Sequence, residues 1–336
     1  MKGNESSKPT LRVASRGTVV EGGQDGRRPS AGHESVARGG RSRVLLNQDG
    51  EVPMAWRLVL LVVSFLAAAY LLRYVPIRLQ ASILSSRGLS PSEAVVQARH
   101  TILDDPVWSS LVGIAQGLLW YPLVCFLIAA TEGRPCSLRD LGLATGRIGF
   151  LLVPLGVALA GMMHVGYVWV GRVLSGSSIA RSPGPLRAVA VALAALNFIV
   201  NGFGEETAFR AYVQDRLIRR HGLWDGVALT SVSFVLLHLL ISRICGLALL
   251  SSVLLAATYG ILYVWTRSVY LVGTMHAVFN LAPRLLNQWP TDAGLLVVHA
   301  LTLAAVIVLF SYRNQTRGDL HADRTGPGAR DGRCPG

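Results

Sequence analysis

LRAVAVALAALNFIVNGFGEETAFRAY, residues 186–212, is apolar through most of its first 18 residues and then carries Glu205, Glu206 and Arg210 in quick succession. About 20 apolar residues in a helix cross the hydrocarbon core of a bilayer. An ionised side chain within that depth costs at least ~2.5–3.5 kcal/mol on insertion scales, so such groups persist where they are paired or used. The stretch therefore reads as a membrane helix that carries charge for a purpose.

The rest of the chain fits that setting. Hydrophobic residues make up 51% of the 336 and charged residues 15%, and the mean hydropathy is +0.44, outside the range of an ordinary soluble domain. No Asp or Glu occurs from Leu141 to Gly204 or from Gly226 to Thr291. The reading is an all-α, polytopic membrane helix bundle with about eight transmembrane helices, near 54–74, 107–130, 148–174, 186–212, 225–241, 245–266, 268–286 and 292–312. Helices are chosen over strands because the runs are long and do not alternate. The polar stretch 75–106, with Pro76, Pro91 and Pro106, has room for an interfacial helix.

Both ends are rich in Gly, Arg and Asp or Glu, and residues 1–52 and 313–336 are expected to be disordered, leaving 53–312 as the membrane domain. The first segment has no apolar core of a signal peptide. Met54 opens the first apolar run and is itself a natural start. A native peptide mapped upstream of Met54 removes that idea.

The net charge of +13 does not indicate nucleic acid, because the bases lack the interleaved aromatics of a nucleic-acid groove. Arg216, Arg219, Arg220, Arg313 and Arg317 fall on one side of an eight-span topology, together with the basic N-terminus. That side is expected to be cytoplasmic, with both termini on it, in a multi-pass protein of the cell membrane. Arg78, Arg87, Arg99, Arg172, Arg181 and Arg187 fall opposite. Cys125, Cys136, Cys245 and Cys334 form no C-x-x-C pair, so neither a zinc-thiolate site nor a disulfide framework is expected, and Cys125 and Cys245 read as packing residues.

Two more spans carry polar residues. SFVLLHLL contains Phe234 and His238, and VGTMHAVFNLA contains His276 and Asn280. Glu206 and Arg210, Phe234 and His238, and His276 and Asn280 are each i and i+4, one face of a helix. Counted from Arg216, Asp225 and Arg267, the Glu205, His238 and His276 levels lie roughly 13–20 Å deep. Three polar faces at similar depth point to one shared cavity.

A carboxylate and an imidazole together can position and deprotonate a water, and a second His with an Asn can stabilise an oxyanion. Arg210 one turn from Glu206 offsets the burial of that carboxylate and leaves Glu205 as the freer general base. Glu205, His238 and His276 also suit a divalent metal such as zinc, so metal-bound and metal-free water both stay open. Asn201, one turn before Glu205, is placed to hydrogen-bond it. Gly202 and Gly204 suit the close approach of another helix or a substrate backbone. Phe209 and Phe234 read as cavity walls, and His164 and His299 as packing residues. Taken singly, Glu206–Arg210 is as readily a structural ion pair and each His a helix–helix contact; their joint occurrence favours a site.

E-E-x-x-x-R at Glu205, Glu206 and Arg210, F-x-x-x-H at Phe234 and His238, and H-x-x-x-N at His276 and Asn280, in this order, resemble the CPBP (Abi) family of type II CAAX prenyl proteases and bacteriocin-processing and immunity proteins. SLRDLGL at 137–143 is similar to a loop of that family, and the resemblance covers 131–286. It implies an eight-helix bundle that hydrolyses a peptide bond of a membrane-anchored or lipidated substrate. Glu205 and His238 would activate the water, His276 and Asn280 would hold the oxyanion, and Glu206 and Arg210 would support the site. The family is called metalloprotease, and a metal-free, glutamate-based mechanism is also proposed for it. The rival readings are a non-catalytic immunity or scaffold protein of the same fold and, from buried Glu and His alone, a transporter, which the lack of an inverted repeat disfavours.

Overall fold

A computed structural model of the chain describes residues 52–144, 146–175, 188–241, 245–286 and 291–324; the N-terminal extension up to residue 51, the end of the tail and Cys334 lie outside them. In lipid every backbone N–H and C=O must be satisfied within the segment, and the described residues are helices joined by short turns, with no strand. In order they are α1 (Met54–Ser86), α2 (Pro91–Arg99), a π turn (His100–Asp104), α3 (Pro106–Glu132), α4 (Gly146–Ser175), α5 (Ala188–Glu206), a π segment (Thr207–Gln214), α6 (Asp215–His221), α7 (Leu223–Ile241), α8 (Gly246–Thr266), α9 (Val269–Leu285) and α10 (Asp292–Arg324).

Among the described residues seven helices are long and apolar enough to cross a membrane, one fewer than the sequence count. The difference is α9, at 17 residues. It carries His276, Asn280, Pro283 and Arg284, and its first half is buried from Val269 to Ala277. That half is walled by protein and needs neither the length nor the apolarity of an outer span, whereas Arg284 and Leu285 at its far end are exposed.

Other boundaries also move. α1 runs through Pro76 to Ser86, past the expected end at 74, as membrane helices often tolerate an internal proline. α2 is the helix expected within 75–106. It opens with a capping box between Ser90 and Glu93 and packs Ala94 and Ala98 against Ile77 and Ala81 of α1. α5, the π segment and α6 continue as one helix to His221, well beyond 212. α10 extends to Arg324, past 312.

α5 lies against α3 and α9, and α9 lies between α5 and α4. Small residues set these distances. A Cβ on Gly202 would come within 3.0 Å of Ala277 N and Gly273 O on α9, and one on Gly204 within 2.7 Å of Gly117 O and Trp120 Cδ1 on α3. The expected close approach at Gly202 and Gly204 is thus made by two helices of the chain itself. Asn201 takes part in it. Its Nδ2 donates to Gly113 O (2.8 Å) and to Asn197 Oδ1 (2.6 Å), so the expected bond to Glu205 is not made; the amide is used at the α3 contact.

One end of the bundle is tied by charge. Glu132, closing α3, accepts from Arg57 of α1 (3.1 Å) and Arg216 of α6 (2.5 Å) and pairs with Arg134 (2.8 Å). Arg134 also holds Asp140, and this guanidinium keeps the Asp140 carboxyl well below the usual carboxylate range. The turn so fixed is the 137–143 segment. Leu141 O accepts from Thr207 Oγ1 (3.3 Å) and Gly142 O from Val269 N (3.3 Å), which ties the turn to the π segment and to the start of α9.

The Gly204 contact has a measurable consequence. Gly204→Ala is expected to destabilise the protein by about 1–3 kcal/mol through overpacking, read as a lower apparent melting temperature in detergent. Gly161→Ala in α4, where a Cβ meets nothing within 4 Å, is expected to be neutral or to stabilise by up to about 1 kcal/mol.

Candidate active site

α5 ends, and the π segment begins, where the charges lie. Each i,i+4 step overshoots a full α-helical turn by about 40°; the wider π turn takes up that drift and keeps Glu206, Arg210 and Gln214 in line. Arg210 Nε donates to Glu206 Oε2 (2.9 Å) and Arg210 Nη1 to Gln214 Oε1 (3.5 Å). Gln214 Nε2 in turn donates to Gly260 O on α8 (2.9 Å). Glu206, Arg210 and Gln214 are all 0% exposed. Arg210 also faces the Phe234 ring at 5.4 Å, a favourable cation–π contact.

The second oxygen of Glu206 reaches α9: Oε1 lies 2.9 Å from His276 Nδ1. Glu206 is therefore shared between a guanidinium on its own helix and an imidazole on another. Glu205 points elsewhere, with Oε2 3.7 Å from His238 Nε2 and 3.7 Å from His276 Nε2. His238 is oriented by its own helix, its Nδ1 lying 2.9 Å from Phe234 O.

These bonds fix the proton positions. A carbonyl only accepts, so His238 Nδ1 carries a hydrogen; the ionised Glu206 imposes the same on His276 Nδ1. His238 Nε2 in the neutral imidazole then presents a lone pair to a carboxylate oxygen that also only accepts; His276 Nε2 does the same when neutral and donates when the ring is an imidazolium. Glu205 Oε2 is buried without a hydrogen-bond partner among the described residues. At 3.7 Å none of the three can bond another directly, and a water between them can donate to two.

A zinc tetrahedron with bonds of ~2.0–2.2 Å would bring its donors to about 3.3–3.5 Å of one another. Glu205 stands wider than this from both imidazoles, and no group of three or more His, Cys, Asp or Glu among the described residues meets metal-site geometry. Glu205, His238 and His276 are close enough to share one small guest between them.

A cavity of about 160 Å³ opens beside these groups, lined by Phe234 and His238 of α7, Ser252, Leu255, Ala256 and Tyr259 of α8, and His276, Phe279 and Asn280 of α9. Asn280 is thus brought to the same space as both histidines. Phe234 is a wall of it, as expected; Phe209 is fully buried and packs edge-on behind Phe234 (5.2 Å). Two contributors were not singled out from the sequence. Gln214 extends the Glu206–Arg210 spacing by one more i+4 step, a signal that was available. The α8 lining carries no carboxylate or imidazole, and only Ser251–Ser252 and Thr258–Tyr259 interrupt its apolar run.

The two neighbouring carboxylates should separate cleanly in stability. Glu206→Gln leaves Arg210 buried without its counter-charge and is expected to lose about 3–5 kcal/mol. Glu205→Gln removes a carboxylate with no bonded partner and is expected to change stability by less than about 1 kcal/mol. Thermal unfolding of both variants in detergent checks this.

A comparison with the curated proteins finds no match. A comparison with protein families does: residues 187–282, the stretch that holds Glu205, Glu206, Arg210, His238, His276 and Asn280, match the family described as type II CAAX prenyl endopeptidase Rce1-like.

Proposed function

We propose that the chain is an intramembrane endopeptidase that uses Glu205 as general base on a water held between Glu205, His238 and His276. The observation that carries this reading is the orphaned Glu205 oxygen facing two imidazole nitrogens at equal distance, beside a cavity large enough for part of a peptide. The water donates one hydrogen to Glu205 and the other to His238 and turns a lone pair to the scissile carbonyl. As the C–O bond forms, the water proton passes to Glu205, which returns it to the leaving amine. Asn280 and a protonated His276 donate to the oxyanion, and the ionised Glu206 balances the positive charge on His276. Arg210 holds Glu206 in turn, and Gln214 holds Arg210.

The substrate in this reading is a membrane-anchored or lipidated protein. Phe234, Leu255, Ala256 and Phe279 give the cavity apolar walls that accept aliphatic side chains or a lipid. The matched family's description suggests the C-terminal region of a prenylated protein. With α9 counted as a crossing, this reading puts both termini on one side, and the bases between Arg216 and Arg220 favour the cytoplasm for it.

The test compares the termini of membrane proteins in cells that carry the wild type or Glu205→Ala. Wild-type cells are expected to show cleaved termini that fall by about 10²–10⁴-fold in the variant. Identical termini in both would instead indicate a non-catalytic protein of the same fold. With purified protein in detergent, hydrolysis is expected to survive complete chelation of divalent metal; loss on chelation and recovery with zinc would overturn the metal-free step.

A further inference from the structure

Behind Phe279 lies a second polar cluster that the proposed chemistry does not use. His164 and Tyr167 come from α4, His299 from α10 and Ser251 from α8. They are 4%, 1%, 1% and 1% exposed. His299 Nδ1 lies 2.6 Å from Ser251 Oγ and 3.1 Å from Ser251 O. Both ring nitrogens of His164, the Tyr167 hydroxyl and His299 Nε2 are buried with no hydrogen-bond partner among the described residues. The rings pack edge to face, His164 to Tyr167 at 5.9 Å and Tyr167 to His299 at 5.6 Å, and Phe279 covers Tyr167 at 5.9 Å and His299 at 5.6 Å.

We infer that this cluster binds ordered water and forms a hydrated side pocket to the catalytic cavity, separated from it by Phe279. Four unpaired polar atoms in one apolar neighbourhood are destabilising unless a partner joins them. The set also selects that partner. His299 Nδ1 is held by Ser251, as donor to its carbonyl or as acceptor from its hydroxyl, so Nε2 needs one further partner, a donor in the first case and an acceptor in the second. A neutral His164 offers one donor and one acceptor, and the Tyr167 hydroxyl is both. A metal cation would satisfy only the acceptors and an anion only the donors; water satisfies both. Phe279, which covers the cluster, also lines the cavity with Ser252 and Tyr259. His299 lies 7 residues from the start of α10 at Asp292 and Phe279 6 residues from the end of α9 at Leu285, roughly 10 Å and 9 Å from that end of the bundle, so the pocket and the cavity lie side by side at one level. A hydrolysis carried out within lipid consumes water, and this pocket can resupply it; that role rests on the endopeptidase reading, whereas the water site does not.

Hydroxyl-radical footprinting by synchrotron radiolysis, with the full chain in detergent, labels buried side chains that touch bound water. After correction for intrinsic reactivity, Tyr167 and His164 are expected to label more than about tenfold faster than the equally buried Phe209, as bound water but not dry packing allows. Labelling at the Phe209 rate overturns the inference. In Tyr167→Phe/His299→Leu, labelling of His164 is expected to fall to the Phe209 rate, and peptide hydrolysis to slow through kcat with KM held. A rise in KM with kcat unchanged overturns the supply role. Absence of hydrolysis in the wild type, with labelling intact, points to failure of the endopeptidase reading instead.

Discussion

A carboxylate with no exposure, set where lipid surrounds the protein, has to be neutralised by its neighbours, and in this chain Glu206 divides that task between Arg210 and His276. Everything around the site follows from that division. The Arg210 guanidinium comes from the same helix, so the pair forms wherever the helix forms. The imidazole comes from α9, so the bond also fixes how α9 turns relative to α5. Once His276 is held through Nδ1, its other nitrogen can only face the place where Glu205 and His238 meet. A structural ion pair and the proposed general base are thus adjacent residues of one helix, and the first orients the imidazole that faces the second.

Close backbone approach makes this possible. Gly202 and Gly204 let α9 and α3 lie against α5 from two directions, and a bond of 2.9 Å between Glu206 and His276 requires helices at that range. The turn at 137–143 then covers the π segment and the head of α9. Its own geometry depends on Arg134, Asp140 and Glu132, so charges at the bundle end and charges in its middle belong to one mechanical unit.

Much of the site was legible in the sequence because helical periodicity is local. Glu206 with Arg210, and His276 with Asn280, follow from spacing alone, and so does the assignment of Glu205 as the carboxylate left over. What was not legible depended on which helix becomes whose neighbour. Asn201 has the right spacing to serve Glu205, yet its amide serves the backbone of α3 instead. Nothing local in TAFRAYVQ announces a π turn, because a wider turn is chosen by partners on α8 and α9. The α8 wall of the cavity escaped notice because apolar lining resembles any lipid-facing surface.

α9 was expected as an ordinary span, and its 17 residues show why hydropathy undercounts helices of its kind. Lipid sets a minimum length and a minimum greasiness only for segments that touch it. Where its neighbours enclose it, from Val269 to Ala277, α9 is released from both demands and carries His276 away from hydrocarbon. Mutational tolerance should therefore run opposite to the usual membrane pattern along this chain: outer helices accept any apolar side chain, while the enclosed half of α9 answers to shape and polarity at nearly every position.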